Sequence, residues 1–171
     1  MRKIVVAVNV LMLFYSAHSQ RNYSLSGTAN FDFLTNGLGA NDDGVGFSVL
    51  SNVFTKKRIQ LKVDASLDHC FGDKILIMDS LGNNLPSSAT LVGLRLGPEC
   101  FVTDKISLSA LYGYTTYHVY GDKNHSGSYK LAITSYLGKN KRTLFAVSFS
   151  KLTGTYSFVH FCGISIGSRI L

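Results

Sequence analysis

The residues that could do chemistry in this chain are few and poorly grouped. Asp68-His69-Cys70 places an acid, an imidazole and a thiol in a row, the residue types of a nucleophile and its base. A cysteine nucleophile needs that base within hydrogen-bond reach. Successive side chains of an extended strand leave opposite faces, so His69 is not expected to activate Cys70, and no separate Ser, His and acid motif completes a site. His118 and His125 flank Asp122. These are metal-ligand types, yet two histidines seven residues apart across a loop specify no coordination geometry. Solvated loop histidines are the expectation, with no metal, no cofactor and no enzyme.

The three cysteines, Cys70, Cys100 and Cys162, are an odd number at wide spacing. They form no disulfide framework and are expected as free thiols that pack like small apolar groups. Basic residues cluster at Lys56-Lys57-Arg58 and Lys139-Asn140-Lys141-Arg142. Each cluster sits between two strand-like segments, as a charged turn would, and no nucleic-acid surface is implied.

The remaining candidates, Asp32, Lys62, Asp64, Arg95 and Lys130, depend on the elements that carry them. Alternation of period two recurs from end to end, and helical spacing is almost absent. In the first segment Leu25, Gly27, Ala29, Phe31 and Phe33 alternate with Ser24, Ser26, Thr28, Asn30 and Asp32. In another, Ile59, Leu61, Val63, Ala65 and Leu67 oppose Gln60, Lys62, Asp64, Ser66 and Asp68, with Leu61 read as lying near mid-strand. Further segments cover 45–54, 89–97, 106–117, 127–137, 143–152 and 156–168, which makes eight strands. Most run to about ten residues, where soluble strands usually have about five or six. A tilted membrane-crossing strand needs roughly 9 to 11, apolar outward and polar inward. Residues 35–43, 69–88 and 120–126 are expected as outer loops, and 55–57 and 138–142 as short inner turns, with 98–105 as a longer one. On this topology Cys70 and Cys100 lie at opposite ends and cannot bond.

The chain has 171 residues, 46% hydrophobic and 16% charged, with no Trp, a size that suits one domain. Arg2 and Lys3, the apolar stretch from Ile4 to Tyr15 and Ala17-His18-Ser19 read as a cleaved secretory signal over 1–19. The barrel domain would then be 20–171, with no segment long enough for a transmembrane helix.

In signal peptide, strand number, strand length and loop rhythm the chain resembles the small eight-stranded outer-membrane barrels, the group that includes the OmpA transmembrane domain. The preference for Tyr and Phe over Trp and a mature start at Gln20 are similar to barrels of Bacteroidota-type bacteria. The resemblance implies an all-β, up-and-down antiparallel transmembrane barrel in the bacterial outer membrane. Members commonly end their last strand on an aromatic residue; this chain ends Ser168-Arg169-Ile170-Leu171.

Closure follows from lipid itself, since every backbone N–H and C=O in hydrocarbon must be bonded within the protein. Eight strands leave an interior that side chains can fill. Asp32, Lys62, Asp64, Arg95 and Lys130 are therefore expected as a lumen network, with Asp64 paired to Arg95, Lys62 or both, and a general porin is not expected. Ile75, Leu76, Ile77 and Met78 form an apolar run inside a solvated connection, a candidate contact for another outer-membrane or surface protein. The function expected is structural or partner-binding, in contact with outer-membrane lipid. The alternative is a secreted lipocalin-like barrel with its faces exchanged, carrying an apolar small molecule.

Overall fold

The computed structural model describes residues 24–36, 43–56, 58–71, 77–78, 84–85, 88–119, 122–138, 140–153 and 158–170. The expected signal segment, 1–19, and residues Ile75 and Leu76 lie outside them. Eight strands close a barrel: β1 (Ser24–Asn36), β2 (Asp43–Lys56), β3 (Ile59–Cys70), β6 (Ala89–Phe101), β7 (Ile106–Val119), β8 (Asp122–Leu137), β9 (Thr143–Thr153) and β10 (Phe158–Arg169). Every strand is antiparallel to its neighbours in sequence order, and β1 pairs with β10 from Ser26↔Arg169 to Asn36↔His160, with a register shift between Leu34 and Asn36. No barrel edge is left open. Two short strands, β4 (Ile77–Met78) and β5 (Asn84–Leu85), pair with each other outside the barrel sheet.

The register ties the strands into a tilted cylinder. From Ser24 it passes through Asn52, Lys62 and Gly97, then, in the register of the flanking Leu96↔Tyr112 and Glu99↔Ser109 pairs, to Leu111, and on through Lys130, Ser150 and Phe161 to re-enter β1 at Leu34, ten residues further on. Such a stagger accompanies strands inclined to the barrel axis.

Alternation sets the two surfaces. Phe31, Phe47, Leu67, Leu94, Leu131, Ile133, Val147 and Ile166 point outward and exposed, while Ser26, Thr28, Ser48, Asp64, Arg95, Thr115 and Ser128 are buried within. A water-soluble barrel does the reverse. A polar interior offers an apolar ligand nothing, so the lipocalin-like alternative is overturned by the burial pattern. Tyr112, Tyr114 and Tyr129 stand exposed on the outer wall near the middle of β7 and β8, Tyr112 against Tyr129 with ring centroids 4.8 Å apart.

Three differences from the sequence reading bear on the interior and on the level of its residues. β6 does not stop at Gly97 but runs through Pro98 to Phe101, which leaves 102–105 as the turn. Pro98 has no N–H to give, and pairing with β7 lapses after Leu96↔Tyr112 and resumes in the same register at Glu99↔Ser109. The second difference is the expected outer loop 120–126. Most of it is strand, with β7 and β8 paired up to Val119↔Asp122. That stretch is polar on both faces, as a hairpin extending past the apolar band can be, and so it read as loop. Finally, Leu61 is the third residue of β3, near the short turns and not at mid-strand. Residues 72–88, enclosing β4 and β5, remain the long connection.

The short turns are built by specific residues. Thr103 Oγ1 accepts the backbone N–H of Lys105 (3.2 Å) and Ile106 (3.1 Å), closing the β6–β7 turn. Gly138 takes φ +80°, which only glycine adopts freely, and lets Lys141 N–H return to its carbonyl at 3.3 Å in the β8–β9 turn.

None of the three cysteines is in a disulfide; Cys70 is buried and packs as expected, whereas Cys100 and Cys162 are exposed on the outer wall. Cys100 pairs with Ile59 at one end of β3 and Cys70 lies at the other, a separation of about 36 Å along the strand. No disulfide can join them.

Candidate functional site

The lumen concentrates the chain's buried charge. Asp64 on β3 is fully enclosed and receives Arg95 Nη1 of β6 at 3.4 Å and Lys130 Nζ of β8 at 3.0 Å. Arg95 completes its fork with Ser128 Oγ (2.6 Å), Ser66 Oγ (3.2 Å) and Thr115 Oγ1 (3.4 Å). One guanidinium thereby joins four strands. Arg95 has room because Gly93 beside it lacks a side chain: a Cβ there would stand 2.8 Å from Ser66 Oγ and 3.0 Å from Arg95 Nη2.

A second cluster lies one layer nearer the short turns. Lys62 Nζ donates to Glu99 Oε1 at 3.0 Å, and the same oxygen accepts from Ser107 Oγ (2.6 Å) and the Tyr136 hydroxyl (3.1 Å). Toward the other end, Asn30 donates to Ser48 Oγ (2.6 Å) and Asp68 Oδ1 (3.0 Å). The polar clusters are layered, as the stagger of neighbouring strands requires. Beside Asp64, Lys62 and Ser109, a void of about 20 Å³ remains.

Of the five expected lumen residues, three meet at one point: Asp64, Arg95 and Lys130. Lys62 does not pair with Asp64 as the sequence reading allowed. It reaches diagonally to Glu99, which pairs with Gln60 and lies two residues along β6 from Gly97, the residue opposite Lys62. Asp32 faces inward and half-buried, and forms no ion pair among the described residues. The residue missed was Glu99. Arg95, Gly97 and Glu99 continue one alternating face, which Pro98 obscures because a residue without an N–H reads as the end of a strand.

The other groupings are held apart. His69 Nδ1 is within 3.0 Å of Thr90 Oγ1 and its ring meets Phe71 edge-on at 5.1 Å, whereas Cys70 turns inward to pack with Ala89, Leu91 and Leu152. His125 is hydrogen-bonded to Thr116 and stacks on Tyr114. No group of three metal-ligating side chains occurs among the described residues.

A closed eight-stranded antiparallel barrel with an ion-paired polar interior and an apolar outer wall has the fold of the small bacterial outer-membrane barrels. Similarity to solved structures places it there. It matches the attachment invasion locus protein Ail of Yersinia pestis, solved with the heparin analogue sucrose octasulfate, at 11% identity and TM-score 0.60, covering 87% of this chain and 98% of that one. The N-terminal β-barrel domain of Pseudomonas aeruginosa OprF matches at 12% identity and TM-score 0.53 over 86% and 97%. Neisserial surface protein A does so at 14% and 0.51 over 86% and 95%. Identities this low speak for the fold and not for a shared task. No protein-family model matches the chain, and no curated protein does.

Proposed function

We propose that this protein is a non-enzymatic barrel of the bacterial outer membrane, sealed to solutes, whose task is carried by the connections at the long-loop end. The observation that carries the reading is the filled lumen. Arg95, Asp64 and Lys130 span the bore, Lys62, Glu99 and Tyr136 cross it again one layer down, and the void of about 20 Å³ between them has room for about one water and not for a solute. A wall immersed in lipid and a blocked interior leave the loops to meet partners. Among them the 72–88 connection is the longest and carries Ile75, Leu76, Ile77 and Met78 beside polar neighbours. Apolar side chains gathered on a polar loop suit a protein contact.

Two measurements test this. Purified wild-type barrel in planar bilayers should show no steady conductance of nanosiemens size; a stable open channel of that size refutes the seal. Replacing Ile75 and Ile77 with Ser should leave heat-modifiable migration on gels unchanged while weakening retention of a co-purifying outer-membrane or surface protein. If nothing co-purifies from native membranes in mild detergent, or the double change unfolds the barrel, the run is cover for the barrel mouth and not a contact.

A further inference from the structure

The short-turn mouth of the barrel has a different character from the lumen. A recess of about 170 Å³ opens there, walled by Arg58 from the β2–β3 turn, Lys141 from the β8–β9 turn and Arg169 at the end of β10. Three segments distant in sequence thus deliver three cations to one concavity. Asp104 is the acidic residue on the wall, and among the described residues none of the three cations forms an ion pair. Phe101 and Tyr136, stacked with centroids 5.5 Å apart, line the recess too. The Tyr136 hydroxyl is committed to Glu99 Oε1, which Lys62 also holds; Glu99 Oε2 is buried without a donor, and Glu99 does not line the recess, so its charge is matched by Lys62 and not by the three cations.

Two atoms in this wall are left incomplete. Arg169 Nε is buried and donates to nothing, and Gln60 Oε1 is buried with no donor. Buried N–H groups nearly always have an acceptor, and a guanidinium cannot relieve itself by losing its proton. With its amide turned over, Gln60 would offer N–H donors to the same space. Crowded like charges in a partly enclosed recess raise a positive potential that a compact oxyanion lowers. Arginine's planar fork matches such an anion with paired hydrogen bonds.

We propose that this recess binds a phosphate group, either as the free ion or on a phospholipid headgroup. The mouth is bordered on the outer wall by exposed Ile59, Ile106 and Ile170, which brings the end of the apolar band, and hence the headgroup layer, to the level of the cations. The site lies at the opposite end from the proposed loop contact and stands or falls apart from it.

The test uses the full barrel in maltoside micelles, which contain no phosphate, at constant ionic strength set with chloride. Inorganic phosphate should titrate to saturation with one site per chain, shifting the Arg169 Nε–H resonance. Arg58→Gln with Arg169→Gln should weaken binding at least tenfold. Arg142→Gln, an exposed cation outside the recess, should leave it unchanged. Should the double variant not fold by heat-modifiability, Lys141→Asn takes its place, since asparagine accepts the φ of 53° at that position; it should weaken binding and keep the fold. A parallel arm adds phosphatidylglycerol to the micelles and follows lipid retention by native mass spectrometry. Retention by wild type and its loss in the variant assign the headgroup, and saturable phosphate binding without retention assigns the free ion. No saturable binding in either arm overturns the proposal, as does equal weakening by Arg142→Gln.

Discussion

Leu94→Arg should lower the folding free energy of the barrel in lipid vesicles by about 2–4 kcal/mol, measured by urea titration followed on gels through heat-modifiable migration. Leu94 sits at the centre of β6, opposite Ala65 on one side and Tyr114 on the other, and is 59% exposed on the outer wall. A guanidinium there must enter the middle of the hydrocarbon. Leu61→Arg provides the internal comparison. It also faces outward, but as the third residue of β3 it lies near the short turns, where the long side chain can reach the interface and the cost falls to about 0–1 kcal/mol. Equal costs at the two positions would mean that the outer wall is not embedded in a bilayer.

Asp64→Asn should be the most damaging single change in the lumen, costing about 3–5 kcal/mol in the same assay. The substitution keeps shape and removes one charge, yet that charge is shared by Arg95 and Lys130, whose side chains are 6% and 12% exposed. Both would lose the carboxylate that hydrogen-bonds them in the bore. Ser66→Ala removes one of the several partners of Arg95 and should cost only about 1 kcal/mol. If the two variants are equally stable, the lumen is wet enough to screen its charges and the sealed interior is wrong.

The alternation of Ser24 to Phe33 and of Ile59 to Asp68 was sufficient to place each side chain on a face, because a strand has a period of two whatever lies beside it. Strand number and the inward side of Asp32, Lys62, Asp64, Arg95 and Lys130 followed from that. Polar composition was a weaker guide to the ends. Residues 122–126 are strand although they look like loop, since backbone pairing with 115–119 needs no apolar side chain once the hairpin leaves the apolar band.

What the sequence by itself determined was the barrel and the sign of its two surfaces; which inward charges meet was decided only by the tertiary structure. Partner choice depends on stagger. Residues level with one another on the barrel axis come from strands offset in register, and no single strand carries that offset. Asp64 and Arg95 are opposed in the β3–β6 ladder, but Lys130 reaches Asp64 across the bore from β8, 66 residues away. Lys62, the nearer lysine in sequence, is held instead by Glu99. The recess of Arg58, Lys141 and Arg169 has the same origin. Two turn clusters read separately as solvated charge, and closure of β10 onto β1 and β9 brings Arg169 to the same space.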